Sequence, residues 1–362
     1  MPNSLTQMVG PNADLDYYFT SVNKAYQRAL AGNNRALYTQ FAYVPPAGVM
    51  AQQERVPVLD GKGNTVMGRR VKFPINLAAS PPQQWNTGDP RPVEPFSSIE
   101  VAVDLKRYCV PSKREEWDTW NQDLFGIIQA QLPQMMDRSL ILWDWLVAST
   151  LVENAIWTPD GRKFFTPSTA QHQANPAKPG VGLYYNDVSI TAIDQENVRA
   201  MLSLLENVPG PDGLPLDTDD VQMMFLAPTA DMEVQLLNVL ALNADIAAVP
   251  VGTNAAASQT NQLKGRAQVK LFKQLARTKQ APIFGGTNQD RGKVGYLLAV
   301  PRGEDRPIAV VPTRQPTPYY TGLNGSDHLR ATQGAIEFGW DAFGNAKLMI
   351  PARALRFTIQ PS

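Results

Sequence analysis

Cysteine is nearly missing from this 362-residue chain, where Cys109 stands alone. No intrachain disulfide can form, and such usage fits a reducing compartment. Histidine is almost as scarce. His172 and His328 are the whole supply, and with one cysteine they offer no zinc-ligand spacing. Net charge is missing too, because 33 basic residues balance 33 acidic ones. A general nucleic-acid binder normally carries a basic excess. A disordered chain carries more net charge and a smaller apolar share than the 43% here. Near-neutral chains tend to self-associate. No run of eighteen apolar residues occurs, so no helical membrane span is expected. Met1-Pro2-Asn3-Ser4 shows no basic region ahead of an apolar core, so no secretory leader is expected.

Catalytic signatures are also wanting. There is no Gly-x-Ser-x-Gly elbow and no Gly-x-x-x-x-Gly-Lys-Ser/Thr phosphate loop. The glycine-rich stretch Asp60-Gly61-Lys62-Gly63-Asn64 lies between two β-rich runs rather than before a helix. His172 reads as a polar loop residue. Asp217, Asp219 and Asp220 read as a solvated loop. Glu115 and Glu116 suit a helix N-terminus, where the helix dipole favours them. No catalytic residue, cofactor site or metal site is expected. A hydrolase acting through His172 or His328 is the remaining enzyme reading.

What the chain does have is length enough for one large domain or two ordinary ones, and 30 prolines, which favour extended segments and loops. Apolar residues recur at helical spacing over 116–153, through Leu124, Ile128, Leu132, Met135, Leu142 and Leu146. The spacing predicts a long helix with a bend near Leu132, caused by Pro133. Ser112 and Glu115 stand at capping-box spacing for its entry. Before it, Ile99, Val101, Val103 and Leu105 alternate with polar residues as in a half-buried strand. Residues 54–77 form two β-rich runs around the 60–64 turn and predict a hairpin. A lone hairpin is marginal in water, so it should pack on the body or on another chain. Arg69, Arg70 and Lys72 would give it a basic face. Residues 80–96 form a proline-rich connector. Residues 194–205 predict a helix capped at Thr191 or Asp194 and stopped by Pro209-Gly210. Residues 221–228 predict a buried strand, and 231–242 a helix capped by Thr229. Residues 250–264 predict a mobile loop. Strands resume at 267–272, 294–300 and 308–311, and two further segments follow over 334–359.

In this order the segments resemble the major capsid protein of tailed bacteriophages, with its Hong Kong 97-type fold, and within it the Mu-like major head subunit family. Three stretches carry the resemblance. Trp157-Thr158-Pro159-Asp160-Gly161-Arg162-Lys163-Phe164-Phe165, followed by His172, Asn175-Pro176 and Gly180, is similar to that family's Asp-Gly-x-x-Phe-Phe segment and the loop after it. Asn197-Val198-Arg199-Ala200-Met201 through Pro209-Gly210-Pro211-Asp212-Gly213, then Phe225-Leu226-Ala227-Pro228, resembles its helix, turn and buried strand. Phe338-Gly339-Trp340-Asp341-Ala342-Phe343-Gly344-Asn345-Ala346 resembles its near-terminal segment. The match runs from Phe96 to the C-terminus, and residues 1–95 match by layout only.

The resemblance implies an α+β fold with a long spine helix, an extended β-hairpin loop, and peripheral and axial domains. It implies an N-terminal arm over 1–45, an extended loop over 46–95, and a peripheral domain over 96–186 with its spine helix at 116–153. An axial domain would span 187–289, and 290–362 would return to the sheets. The hairpin tip, Asp60, Gly61, Lys62, Gly63 and Asn64 with Arg69 and Arg70, would contact a neighbouring subunit. The implied partners are copies of the chain as hexamers and pentamers, with a decoration protein, portal and scaffold, and packaged DNA through non-specific contact. The implied place is the virion, assembled in the host bacterial cytoplasm. An encapsulin-like cargo shell shares the fold and is the alternative.

Overall fold

The computed structural model describes residues 36–59, 64–78, 97–116, 127–174, 182–210, 221–241, 265–277, 291–303, 305–321 and 332–360, with Lys24, Arg28, Pro215 and Leu263 besides. Most of the expected N-terminal arm, the connector over 80–96, the Asp217–Asp220 cluster, the loop over 250–262 and His328 therefore lie outside the described residues.

The first elements are short: α1 (Tyr38–Phe41), β1 (Ala42–Tyr43) and α2 (Ala47–Ala51). The expected hairpin follows. β2 (Gln53–Leu59) pairs antiparallel with β3 (Thr65–Ala78), in register from Gln53↔Val71 to Leu59↔Thr65. It finds its support within the chain. From Arg69 to Ala78, β3 also pairs with β4 (Ser97–Glu116), a strand of 20 residues that spans about 66 Å at 3.3 Å per residue. The segment read as the entry to a long helix is thus strand. Its partner is distant: Glu116, Glu115, Arg114 and Lys113 pair with Ala335, Ile336, Glu337 and Phe338. Pro111, which cannot donate to a ladder, falls in the register shift between Val110 and Lys113.

The expected helix over 116–153 is two helices, α3 (Ile127–Leu140) and α4 (Leu142–Glu153). Residues 117–126 lie outside the described residues. The break is not near Leu132, because α3 runs through Pro133 without interruption. It falls at Ile141, whose φ of −98° and ψ of 7° leave the helix while its carbonyl accepts the first bond of α4, from Trp145. The chain continues through β5 (Ile156–Trp157), β6 (Arg162–Lys163), β7 (His172–Gln173), β8 (Leu183–Tyr184), β9 (Asp187–Ile190), α5 (Gln195–Glu206), β10 (Val221–Ala227), α6 (Ala230–Ala241), β11 (Ala267–Leu271), α7 (Gln274–Arg277), β12 (Val294–Pro301), β13 (Ile308–Thr321), β14 (Ala335–Leu348) and β15 (Ala354–Ile359).

Two large sheets organise most of these strands, while β5-β6 and β7-β8 are separate two-stranded pairs. One large sheet has the order β1-β13-β14-β4-β3-β2 and the other β11-β10-β12-β15-β9. The first is staggered: β4 pairs with β3 over Ser97 to Leu105 and with β14 over Lys106 to Glu116. Where β14 leaves β4, its side chains take over from its backbone. Asn345 Nδ2 donates to the Asp104 carbonyl at 2.8 Å, and Lys347 Nζ donates to the Ala102 carbonyl at 2.6 Å. Prolines mark both margins of this sheet. Pro57 lies in β2. On β13, only Ile308 and Ala309 are paired with β1, and Pro312, Pro316 and Pro318 follow. The β13–β14 register shifts at Pro312 and again at Pro316, where an absent N–H would otherwise break the ladder.

The second sheet is covered on both faces, which explains the unbroken apolar runs of β10 and β12. Met223, Phe225, Leu297, Ala299, Leu355 and Phe357 meet Val198, Met201 and Leu202 of α5 and Met232, Leu236 and Leu240 of α6. Met224, Leu226, Tyr296, Leu298 and Ala354 join Leu146, Val147 and Leu151 of α4 in a different core, which also takes in Ile308, Val310, Ala342 and Leu348 of the first sheet. Helix α4 is the wedge between the sheets, buried on nearly every side. Trp143 Nε1 donates to Gln315 of β13, while Tyr296 of β12 donates to the Leu151 carbonyl.

Candidate functional site

Two places held residues singled out from sequence: the hairpin and the segment around His172. In the hairpin, β3 pairs with β4 only from Arg69 onward. Residues 56–59 and 65–68 therefore form a two-stranded ribbon with no third strand among the described residues. Its strands approach closely at Gly68, where a Cβ would lie 2.7 Å from a Val58 methyl. Val66 and Met67 are 43% and 67% exposed. Asp60, Gly61, Lys62 and Gly63 lie outside the described residues, and Asn64 is exposed at the start of β3.

The basic face expected from Arg69, Arg70 and Lys72 is largely neutralised within the sheet. Arg70 Nε donates to Asp104 at 2.6 Å, and that carboxylate holds the guanidinium above its usual range. Lys72 Nζ lies 3.1 Å from Glu54 and 3.4 Å from Glu100. Arg69 is exposed and donates to the Gln53 side chain at 2.9 Å, directly opposite Arg55 in the ladder. All these pairs are solvent-screened, so they orient the strands more than they stabilise them.

His172 is not in a polar loop but inaccessible to solvent in β7. Nδ1 meets Asp160 Oδ2 at 2.5 Å, and Nε2 meets the Phe164 carbonyl at 2.9 Å. Tyr184 stacks on the ring at 5.3 Å and Trp157 meets it edge-on at 5.8 Å. Burial pushes the Tyr184 phenol up. The expected Asp160-Gly161 turn is present, with Gly161 at φ +71° and Asp160 Oδ1 accepting from the Arg162 N–H. With both nitrogens held by its own chain and no open face, His172 ties the turn to β6 and β7.

Two asparagines that sequence reasoning passed over complete this cluster. Asn154 ends α4 in the left-handed region, φ 49°, and exchanges two bonds with the Phe165 backbone. Asn186 accepts from the Thr166 N–H and donates to the carbonyls of Phe164 and Pro351. Trp157 Nε1 donates to the Met349 carbonyl at 2.7 Å. The Asp-Gly-x-x-Phe-Phe segment is thereby a junction that ties the end of α4 to β14 and β15. Asparagine directly after a helix is a recognised sign of a left-handed cap, and that signal was available for Asn154. No group of three or more His, Cys, Asp or Glu among the described residues could hold a metal ion.

The sequence matches no protein-family model and no curated protein. Solved structures do match. The capsid structure of the cyanophage P-SCSP1u aligns with a TM-score of 0.50 at 12% identity, covering 81% of this chain and 84% of that one. A Gordonia phage Cozz structure aligns at 0.46 and 11% identity, over 90% and 87% of the two chains. The first of these carries the comparison. At such identities a likeness speaks for the fold alone, and the chain has the mixed helix-and-strand, Hong Kong 97-type fold of phage capsid proteins.

Proposed function

We propose that this chain is the major capsid protein of a tailed phage, a structural subunit that self-assembles into the icosahedral head around a double-stranded DNA genome. The observation that carries the reading is the shared fold, which takes in most of both this chain and the cyanophage capsid subunit. Motif likeness at 157–165, 197–216 and 338–346 supports the finer placement beside the Mu-like head subunits. In this reading the first sheet, with α3 and α4, is the peripheral domain. The second sheet with α5 and α6 is the axial domain at capsomer centres.

The ribbon is the extended loop that reaches a neighbouring copy. Exposed Met67 and the lack of a third strand among the described residues suit a surface that another subunit covers. Asn64, Val66, Met67 and Arg69 are the described contact residues, with Asp60, Gly61, Lys62 and Gly63 beyond them. Arg70 faces inward to Asp104. Such contacts are individually weak and multiply through closed symmetry.

The test is expression with the scaffold and protease partners, followed by electron microscopy. Closed shells or capsomers are expected; a chain that stays monomeric under those conditions overturns the reading. Met67→Asp should prevent closure yet leave the unfolding free energy within about 0.5 kcal/mol of wild type, as befits an exposed site. Normal shells from that variant would remove the ribbon from the interface.

A further inference from the structure

Residues 36–43 lie across the body as a strap, held at one end by a buried carboxylate and at the other by a half-buried guanidinium. At the leading end the Asp144 carboxylate accepts from the Leu37 N–H at 3.1 Å and from the Tyr38 N–H at 2.8 Å, satisfying first-turn donors of α1 that have no partner of their own. At the trailing end Arg306 Nη1 donates to the carbonyls of Thr39 at 3.3 Å and Ala42 at 2.9 Å. Between them Phe41 is fully buried, edge-on to Phe272 at 5.7 Å. Ala42 and Tyr43 then add β1 to the margin of β13.

Asp144 is an unusual residue to find here. It is inaccessible to solvent, and among the described residues no Lys, Arg or His pairs with it. From α1, the Tyr38 phenol feels its charge. From β13 comes neutral Gln315, which bonds Tyr38 and the Trp143 indole. Glu153, at the far end of α4, is exposed. Two backbone N–H groups are what the carboxylate has in place of a cation.

We propose that Asp144 is a proton-operated latch that couples the seating of the 36–43 strap to pH. A strap that lifts away gives the carboxyl to water; a strap that closes buries it. Burial pushes the seated carboxyl up to about 6 from its ordinary 3.8, against the opposing pull of the two N–H bonds. The seated state therefore holds the proton more tightly, so seating and proton uptake favour each other. Its stabilisation is complete below the ordinary value, is lost as pH rises through the seated value, and is gone above it. The full swing is bounded at about 150-fold, the ratio those two values set.

Hydrogen exchange on the intact chain tests this, read by mass spectrometry on the peptide covering 36–43 and corrected for intrinsic rates. The reporting amides are Gln40, bonded to the Leu37 carbonyl, and Ala42, bonded to the Tyr38 carbonyl. Their protection should fall about tenfold between pH 5 and pH 8, the part of the swing that lies in that window, while β10 stays constant. Asp144→Asn, uncharged at every pH, should flatten the profile. Arg306→Gln should lower protection throughout and keep the slope. A flat wild-type profile overturns the latch, as does a slope that survives in Asp144→Asn. Should that variant not fold, the wild-type and Arg306→Gln profiles decide.

Discussion

Gly344→Ala isolates one packing decision. Gly344 sits in β14 opposite the register shift at Pro312 and pairs with Lys106 on its other side. A Cβ there would lie 2.2 Å from the Val311 carbonyl oxygen and 2.7 Å from the Trp143 ring. Neither neighbour can give way cheaply. The carbonyl belongs to a fully buried strand residue, and the indole is 2% exposed and bonded to Gln315 at 2.8 Å. Overpacking a core costs about 1–3 kcal/mol, and a clash with backbone belongs at the upper end. Alanine recovers about 0.5–1 kcal/mol by restricting the unfolded chain. A net loss of about 2 kcal/mol remains, roughly a thirtyfold fall in the folded-to-unfolded ratio. Urea unfolding followed by tryptophan fluorescence measures it, with the slope confirmed unchanged. Gly303→Ala is the control, since a Cβ there meets nothing within 4 Å. If Gly344→Ala unfolds within about 0.5 kcal/mol of wild type, the close approach is not a real constraint.

Leu151→Ala should cost about 3–5 kcal/mol, because Leu151 is fully buried in the helix wedged between the sheets; thermal or urea melts will read it, and a loss below about 1 kcal/mol would mean that the two sheets close up around the gap. Asp194→Ala should cost about 1 kcal/mol by removing the side-chain oxygen that accepts from the Asn197 N–H at 2.8 Å; a full-strength α5 in that variant, judged by amide exchange, would rule out the cap.

Elements defined by their own neighbours were legible in the sequence. β10 read as a buried strand and β12 as a strand, and their apolar runs follow from a sheet covered on both faces. α5 and α6 read as helices, the first capped at Thr191 or Asp194 and the second at Thr229; the caps made are Asp194 and Thr229. The hairpin read correctly from its glycine-rich turn. What distant partners define stayed hidden. Pro111 to Glu116 looks like a helix entry, yet its conformation is set by β14, more than two hundred residues away. Pro133 is accommodated within α3, and the helix breaks instead at Ile141, where Leu142 and Trp143 turn into the core. His172 looked solvated because its two-residue strand carries no periodicity, and its burial comes from Trp157 and Tyr184 on other segments. Farther along β3, the charges of Arg70 and Lys72 that seemed available to a neighbour are answered by Glu54, Glu100 and Asp104, which sequence distance concealed.

The prolines at the margins of the first sheet bear on what the protein avoids becoming. An outer strand with every N–H intact is a template on which an identical chain can add, and then another, without limit. Crowded copies of one sequence offer that error constantly. Pro57 on one side and the proline-marked β13, with its two register shifts, on the other make irregular margins, so a wrongly added strand would find a poor template. Open-ended polymerisation through strand addition is thereby starved at its first step.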